Sequence, residues 1–439
     1  VERLEDRQLM AGDVVASLLD GNLVLTEARG QSGADNSVRV SQLSSGMIRV
    51  SGNGTLAGGS QSLINGQEFQ DFLVPGDLTV NFGGGQDLLV FDSSAGDVPR
   101  LGNVSLNMGV TSATGDTDDD NVMIFGLETR GSLNVKTGAG ADWIFVGDAR
   151  IGDGVATDNL MINSGAGSDL VQLKFGTHVR GNASLVTYSS TTEQDADEVL
   201  IEMDVVVDKN VNVRLGGGND RFIVRKPDEI FFPGLPGLTT GGSVNVNSGA
   251  GADYISIAAA KVGDDVGVDN LWINSGAGSD TIQVTDMIGR VADGIYVTTF
   301  ASLNETDADL VHFEHAFAGQ DIVIRTGAGN DVVNLIDVVA YDDFTLEAGA
   351  GDDIAYFDRF IAVDNLFADM DDGFDGLSLL KTSAKSATLL GGADGDSLIM
   401  PTTFKYEDLA LDGWERINGR RTIFDDIFYD IANDGVLTR

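Results

Sequence analysis

The residues best placed to do chemistry in this chain are carboxylates that return at intervals inside glycine turns. Asp87, Asp142, Asp169, Asp220, Asp253, Asp280, Asp331 and Asp353 each end a phrase close to Gly-Ala-Gly-x-Asp, and Asp396 ends a looser copy. Carboxylate and carbonyl oxygens gathered at such turns suit Ca²⁺, which takes oxygen ligands at about 2.3–2.6 Å in a flexible shell that Mg²⁺ tolerates less well. Were the turns stacked, like charges about 5 Å apart would repel by roughly 1 kcal/mol in water and about 3–4 kcal/mol at an effective dielectric near 20. A column of this kind needs relief: a shared cation, backbone N–H donors, or carboxylates that alternate outward. The other open role is local, with each Asp closing its own turn through the backbone, as Asp commonly does.

The elements that position these residues follow from what flanks them. Aliphatic residues stand nine and seven positions before the Asp, and apolar residues two and four after it, as in Leu160, Ile162, Gly165, Gly167, Asp169, Val171 and Leu173. The alternation has period two, which makes strands, and the β-branched content suits a pleated surface. Looser copies at Asp120, Asp197, Asp309 and Asp375 fill the series, so that the intervals fall to a floor near 22 residues. A third short apolar piece, such as Val205 to Val207, often follows. A fixed period with three short strands predicts an all-β fold, a parallel β-helix (solenoid) of about 13 coils. The glycines serve its sharp corners, where positive φ carries no steric cost.

The expected organisation is an N-terminal segment at 1–20, irregular strands at 21–75, the repeat at 76–400 and a C-terminal cap at 401–439. Asp35 and Asp71 are read as remnants of the repeat. In the cap, Phe424, Ile427, Phe428 and Ile431 share a helical face, with Thr422 as N-cap and Gly435 as stop. A helix there would cover the open edge of the last coil.

Two resemblances add to this. The turns at Gly84, Gly85 and Asp87 and at Gly217, Gly218 and Asp220 resemble the calcium-binding nonapeptide of bacterial β-rolls. In that family turn carbonyls and the Asp carboxylates of adjacent coils share Ca²⁺, which would make the turn aspartates metal ligands; here the phrase comes once per coil instead of every nine residues. Leu4, Glu5, Arg7 and Leu9 resemble the Leu-Glu-Pro-Arg-x-Leu-Leu sorting segment of bacterial surface and secreted proteins, with Asp6 in place of its proline. That resemblance implies a secreted or cell-surface protein.

Composition sets bounds. Twenty-seven basic and 68 acidic residues give a formal charge of −41, which excludes a phosphate-binding footprint and hence a nucleic-acid partner. No apolar run of 18 residues is present, so no membrane span is expected. The chain has no cysteine, and a solenoid needs no disulfide. His312 and His315 would lie on opposite faces of a strand, unsuited to a shared metal. No Gly-x-Ser-x-Gly elbow and no phosphate-cradling loop occurs. The expectation is a non-enzymatic structural or adhesive surface protein, with a cell-surface polymer or polysaccharide as partner and a capacity to self-associate. The alternative is a carbohydrate-active lyase or hydrolase on the same scaffold, in which Trp143 and Trp272 would be outward sugar platforms.

Overall fold

A computed structural model describes residues 12–429 except 31–32, 54–61, 74–75, 94–96, 110–117, 155–157, 191, 227–234, 265, 303–304, 419 and 422–425. The sorting-like residues Leu4 to Leu9 therefore lie outside the described residues. The described elements are all strands, and no described helix is long and apolar enough to cross a membrane. The chain divides into two compact units, Val1–Asn212 and Val213–Arg439.

The first unit opens on antiparallel hairpins. Val14–Leu19 pairs with Asn22–Glu27 around Asp20 and Gly21, both at positive φ, which is the tight turn a twisted hairpin favours. Ser37–Gln42 pairs antiparallel with Ile48–Gly52. From there the stacking is parallel. One row runs Leu78–Asn81, Val104–Asn107, Leu133–Ala139, Leu160–Ala166 and Ala183–Val186. A second runs Leu88–Asp92, Asn121–Thr129, Trp143–Ile151, Leu170–Lys174 and Glu198–Glu202. In register down this row, Leu89, Val122, Ile144, Val171 and Val199 are all fully buried. Stacking like on like means that each aliphatic side chain is covered by its counterparts above and below, and burial of this kind contributes about 1.5–3 kcal/mol per residue.

The second unit repeats the plan with fewer interruptions. Val244–Ala250, Leu271–Ala277, Ile295–Thr298, Ile322–Arg325, Phe344–Glu347, Asn365–Asp369, Ser386–Leu390 and Asp408–Asp412 form one parallel row. The facing row runs from Arg221–Arg225 to Arg416–Ile417. Phe344, Phe357 and Phe360 meet in the core with ring centroids 4.8–5.2 Å apart. This parallel, in-register stacking is solenoid-like in both units, as the repeat predicts.

The C-terminal helix needs correction where it is described. Asp426–Tyr429 is a strand, antiparallel to Asp408–Asp412; Thr422, Phe424, Ile431 and Gly435 lie outside the described residues. Four apolar positions cannot distinguish periods on their own, and the exposed edge of Asp408–Asp412 offers N–H and C=O groups that an Ile-Phe-Tyr stretch can pair.

Glycine is required at the corners by contact as well as by angle. Gly165 has φ +106°, and a Cβ there would sit 1.6 Å from the Gly138 carbonyl oxygen of the preceding coil. Gly249 meets Gly216 O in the same way at 1.5 Å.

Candidate functional site

The turn aspartates form a continuous buried column within each unit. In the first, the Asp87 N–H donates to Asp120 Oδ1 at 2.8 Å, Asp120 N–H to Asp142 Oδ1 at 2.8 Å, Asp142 N–H to Asp169 Oδ1 at 2.9 Å and Asp169 N–H to Asp197 Oδ1 at 2.8 Å. In the second, the same bond joins Asp220, Asp253, Asp280, Asp309, Asp331, Asp353, Asp375 and Asp396 in turn, at 2.7–2.9 Å. Each carboxylate thus holds the backbone of the preceding coil. None of these side chains is more than 4% exposed.

The columns end on other residue types. Asn36 donates both its backbone N–H and Nδ2 to Asp87 Oδ1, and Glu415 Oε2 accepts from Asp396 N–H. Asn36, not Asp35, therefore holds the column position; Asp35 accepts from Gln86 N–H one place outward. Asp71 is no part of the repeat and pairs with Arg49 through two bonds of 2.8 and 2.9 Å. A second fastening uses the opposite direction: Asn103 N–H donates to Asp77 Oδ1, Asn182 N–H to Asn159 Oδ1, and Asn365 N–H to Asp343 Oδ1.

The column position engages one oxygen of each carboxylate and leaves the other in a dry place. Oδ2 of Asp353, Asp375 and Asp396 is buried without a hydrogen-bond partner, and at Asp169, Asp253, Asp280 and Asp331 the hydroxyls of Ser164, Ser248, Ser275 and Thr326 face the buried carboxyl group. Burial disfavours the charged form, and it is the first cause of a raised pKa at every one of them. Asp169, Asp280 and Asp353 are pushed up to about 8, Asp309 and Asp375 to about 7, and Asp253, Asp331 and Asp396 to about 6. Neighbouring column carboxylates add to the rise at Asp169, Asp280 and Asp353, while Ser164 and Ser275 temper it at the first two.

Thr299 Oγ1 lies between the column and the next coil, 2.5 Å from Asp309 Oδ2 and 3.0 Å from the Thr326 carbonyl oxygen, and its single hydrogen is shared between these two acceptors. Ser248 and Thr326 also donate to the next coil, at Ser275 O and Ala348 O, while their hydroxyls face Asp253 and Asp331. The sequence signal for these hydroxyls is a Ser or Thr directly before the first turn glycine, at Thr137, Ser164, Ser248, Ser275 and Thr326.

Calcium fits this column poorly. It takes six to eight oxygens, whereas a column carboxylate presents one oxygen already holding an N–H and one facing a hydroxyl or the core. Among the described residues, one group of three acidic side chains brings ligand atoms within 4.8 Å of one another, and it is Asp342, Asp343 and Asp364 on the surface. None of the column residues belongs to it.

The remaining candidates lie apart. His315 contacts Asp286 at 3.1 Å and Asp337 at 3.5 Å, while His312 faces Glu314. Trp272 is outward and stacks on Tyr296 with centroids 4.1 Å apart, whereas Trp414 is buried and donates to Leu389 O. No protein-family model, curated protein or solved structure matches this chain.

Proposed function

We propose that this chain is a non-enzymatic structural or adhesive protein of the cell exterior. The supporting observation is the aspartate column: its carboxyl groups are covered and bonded to the backbone of neighbouring coils, a fastening role that withdraws them from any substrate. The Leu4, Glu5, Arg7 and Leu9 pattern, the absence of cysteine and the charge of −41 agree with an exported, strongly solvated surface. A lyase or hydrolase would instead gather acids, arginine and aromatic platforms in one open groove. Protease treatment of intact source cells tests the proposal. Removal of the chain from unbroken cells is the expected result, and its recovery only after lysis would refute an exterior location.

A further inference from the structure

Four arginines line one groove of the first unit. In register, Arg100, Glu128, Arg150 and His178 stand on successive coils just before the buried positions Leu101, Thr129, Ile151 and Val179. Arg130 and Arg180 stand just after them, and their backbone N–H groups donate to Leu101 O and Ile151 O at 2.9 Å. The guanidinium groups therefore alternate from side to side, one per coil, along the stacking direction with a step of about 4.8 Å.

The groove has a volume of about 600 Å³ and its walls include all four arginines with Glu128 and Asp153. Glu128 bridges two of them, Arg100 at 2.8 Å and Arg150 at 3.4 Å, and Arg180 donates to the Asp153 carbonyl oxygen at 2.9 Å. Asp158 faces the Asp153 backbone, and Asp208 contacts His178 at 2.7 Å. Four guanidinium groups stand here with Glu128 and Asp153 in the lining and Asp158 and Asp208 beside it, a local concentration of arginine on a chain whose formal charge is −41. Charges farther than about 8 Å are largely screened at physiological salt, which weakens the opposing effect of the net charge at the groove.

We propose that this groove binds an anionic polysaccharide, one bearing a carboxylate or sulfate on successive sugars and lying along the coils. A compact anion would call for converging guanidinium groups, whereas these are spread over about 14 Å, three coil steps. Duplex nucleic acid carries a charge about every 1.7 Å, far denser than one arginine per coil. The proposal stands on the first unit alone and not on where the chain resides.

The test uses the full chain with short polygalacturonate oligosaccharides, neutral dextran and single-stranded DNA as probes, by titration calorimetry. Uronate is expected to bind, dextran to give no heat, and salt raised to about 0.5 M to abolish the signal. Arg150→Gln combined with Arg180→Gln should weaken uronate binding by about tenfold or more, with melting unchanged. Lys381→Gln with Lys385→Gln removes the same charge from exposed positions in the second unit and should leave affinity intact. Equal loss in both double variants, dextran bound as well as uronate, or DNA bound more tightly than uronate would overturn the proposal. So would an absence of uronate binding together with an oligomer that the Arg150→Gln and Arg180→Gln changes dissolve, which would assign the groove to a second copy.

Discussion

Replacing Asp280 by Asn should make the second unit less sensitive to alkaline pH. Asp280 Oδ1 accepts the Asp253 N–H at 2.8 Å, and its Oδ2 is buried beside the Ser275 hydroxyl. The charged groups facing it along the column are Asp253 and Asp309. Its pKa stands at about 8 in the fold against 3.8 for an ordinary Asp, so the folded state binds the proton more tightly than the unfolded state. The stability contributed by that proton is complete below about pH 3.8 and is lost as pH rises through about 8. At about 1.36 kcal/mol per pKa unit, the loss between pH 5 and pH 8 comes to about 3–4 kcal/mol for this group. Asn keeps the acceptor at Oδ1, places an N–H donor toward Ser275 and does not titrate. Denaturant midpoints at the two pH values, with the transition slope unchanged, measure the difference. The variant should resemble the parent at pH 5 and exceed it by about 3–4 kcal/mol at pH 8. Parallel decline of the two proteins over that range would show that Asp280 is charged in the fold at both, and the account of the dry oxygen would fail.

Other expectations follow from single contacts. Gly165→Ala places a methyl group 1.6 Å from Gly138 O at a φ of +106°, and a loss of at least about 2 kcal/mol is expected in chemical denaturation. Thr299→Val keeps the shape of the side chain and deletes the hydroxyl between Asp309 and Thr326; unfolding should register a cost of about 1–3 kcal/mol. Millimolar Ca²⁺ should leave the melting temperature where a chelator leaves it, and a rise with Ca²⁺ would place cations in the corners after all, because an ion held only by the folded state stabilises it by mass action.

Much of the architecture was legible in the sequence because it depends on periodicity. Alternating aliphatics such as Leu271 and Ile273 declare a strand, a recurring Gly-x-Gly declares a corner, and constant spacing from Asp331 to Asp353 to Asp375 declares that the corners align. The same repetition located every aspartate of the column, including the looser copies at Asp120, Asp197, Asp309 and Asp375. What those carboxylates do was legible only as a choice: backbone N–H donors, a shared cation and local turn closure all fit the spacing, and the stacked backbone selects the first, with each Asp bonded to the neighbouring coil and buried. Asn36 caps the column of the first unit and Glu415 that of the second without any Asp signature, since capping there asks only for a side chain that can hydrogen-bond from the right height.

Local pattern decided that the chain forms strands, where it turns, and which residue types recur at each corner, because those properties reside in a few neighbouring residues. The tertiary structure alone decided the burial of the column carboxylates and the alternation of Arg100, Arg130, Arg150 and Arg180 along one groove. Both depend on contacts between successive coils, 20 or more positions apart in the sequence, which are fixed when one coil settles on the next.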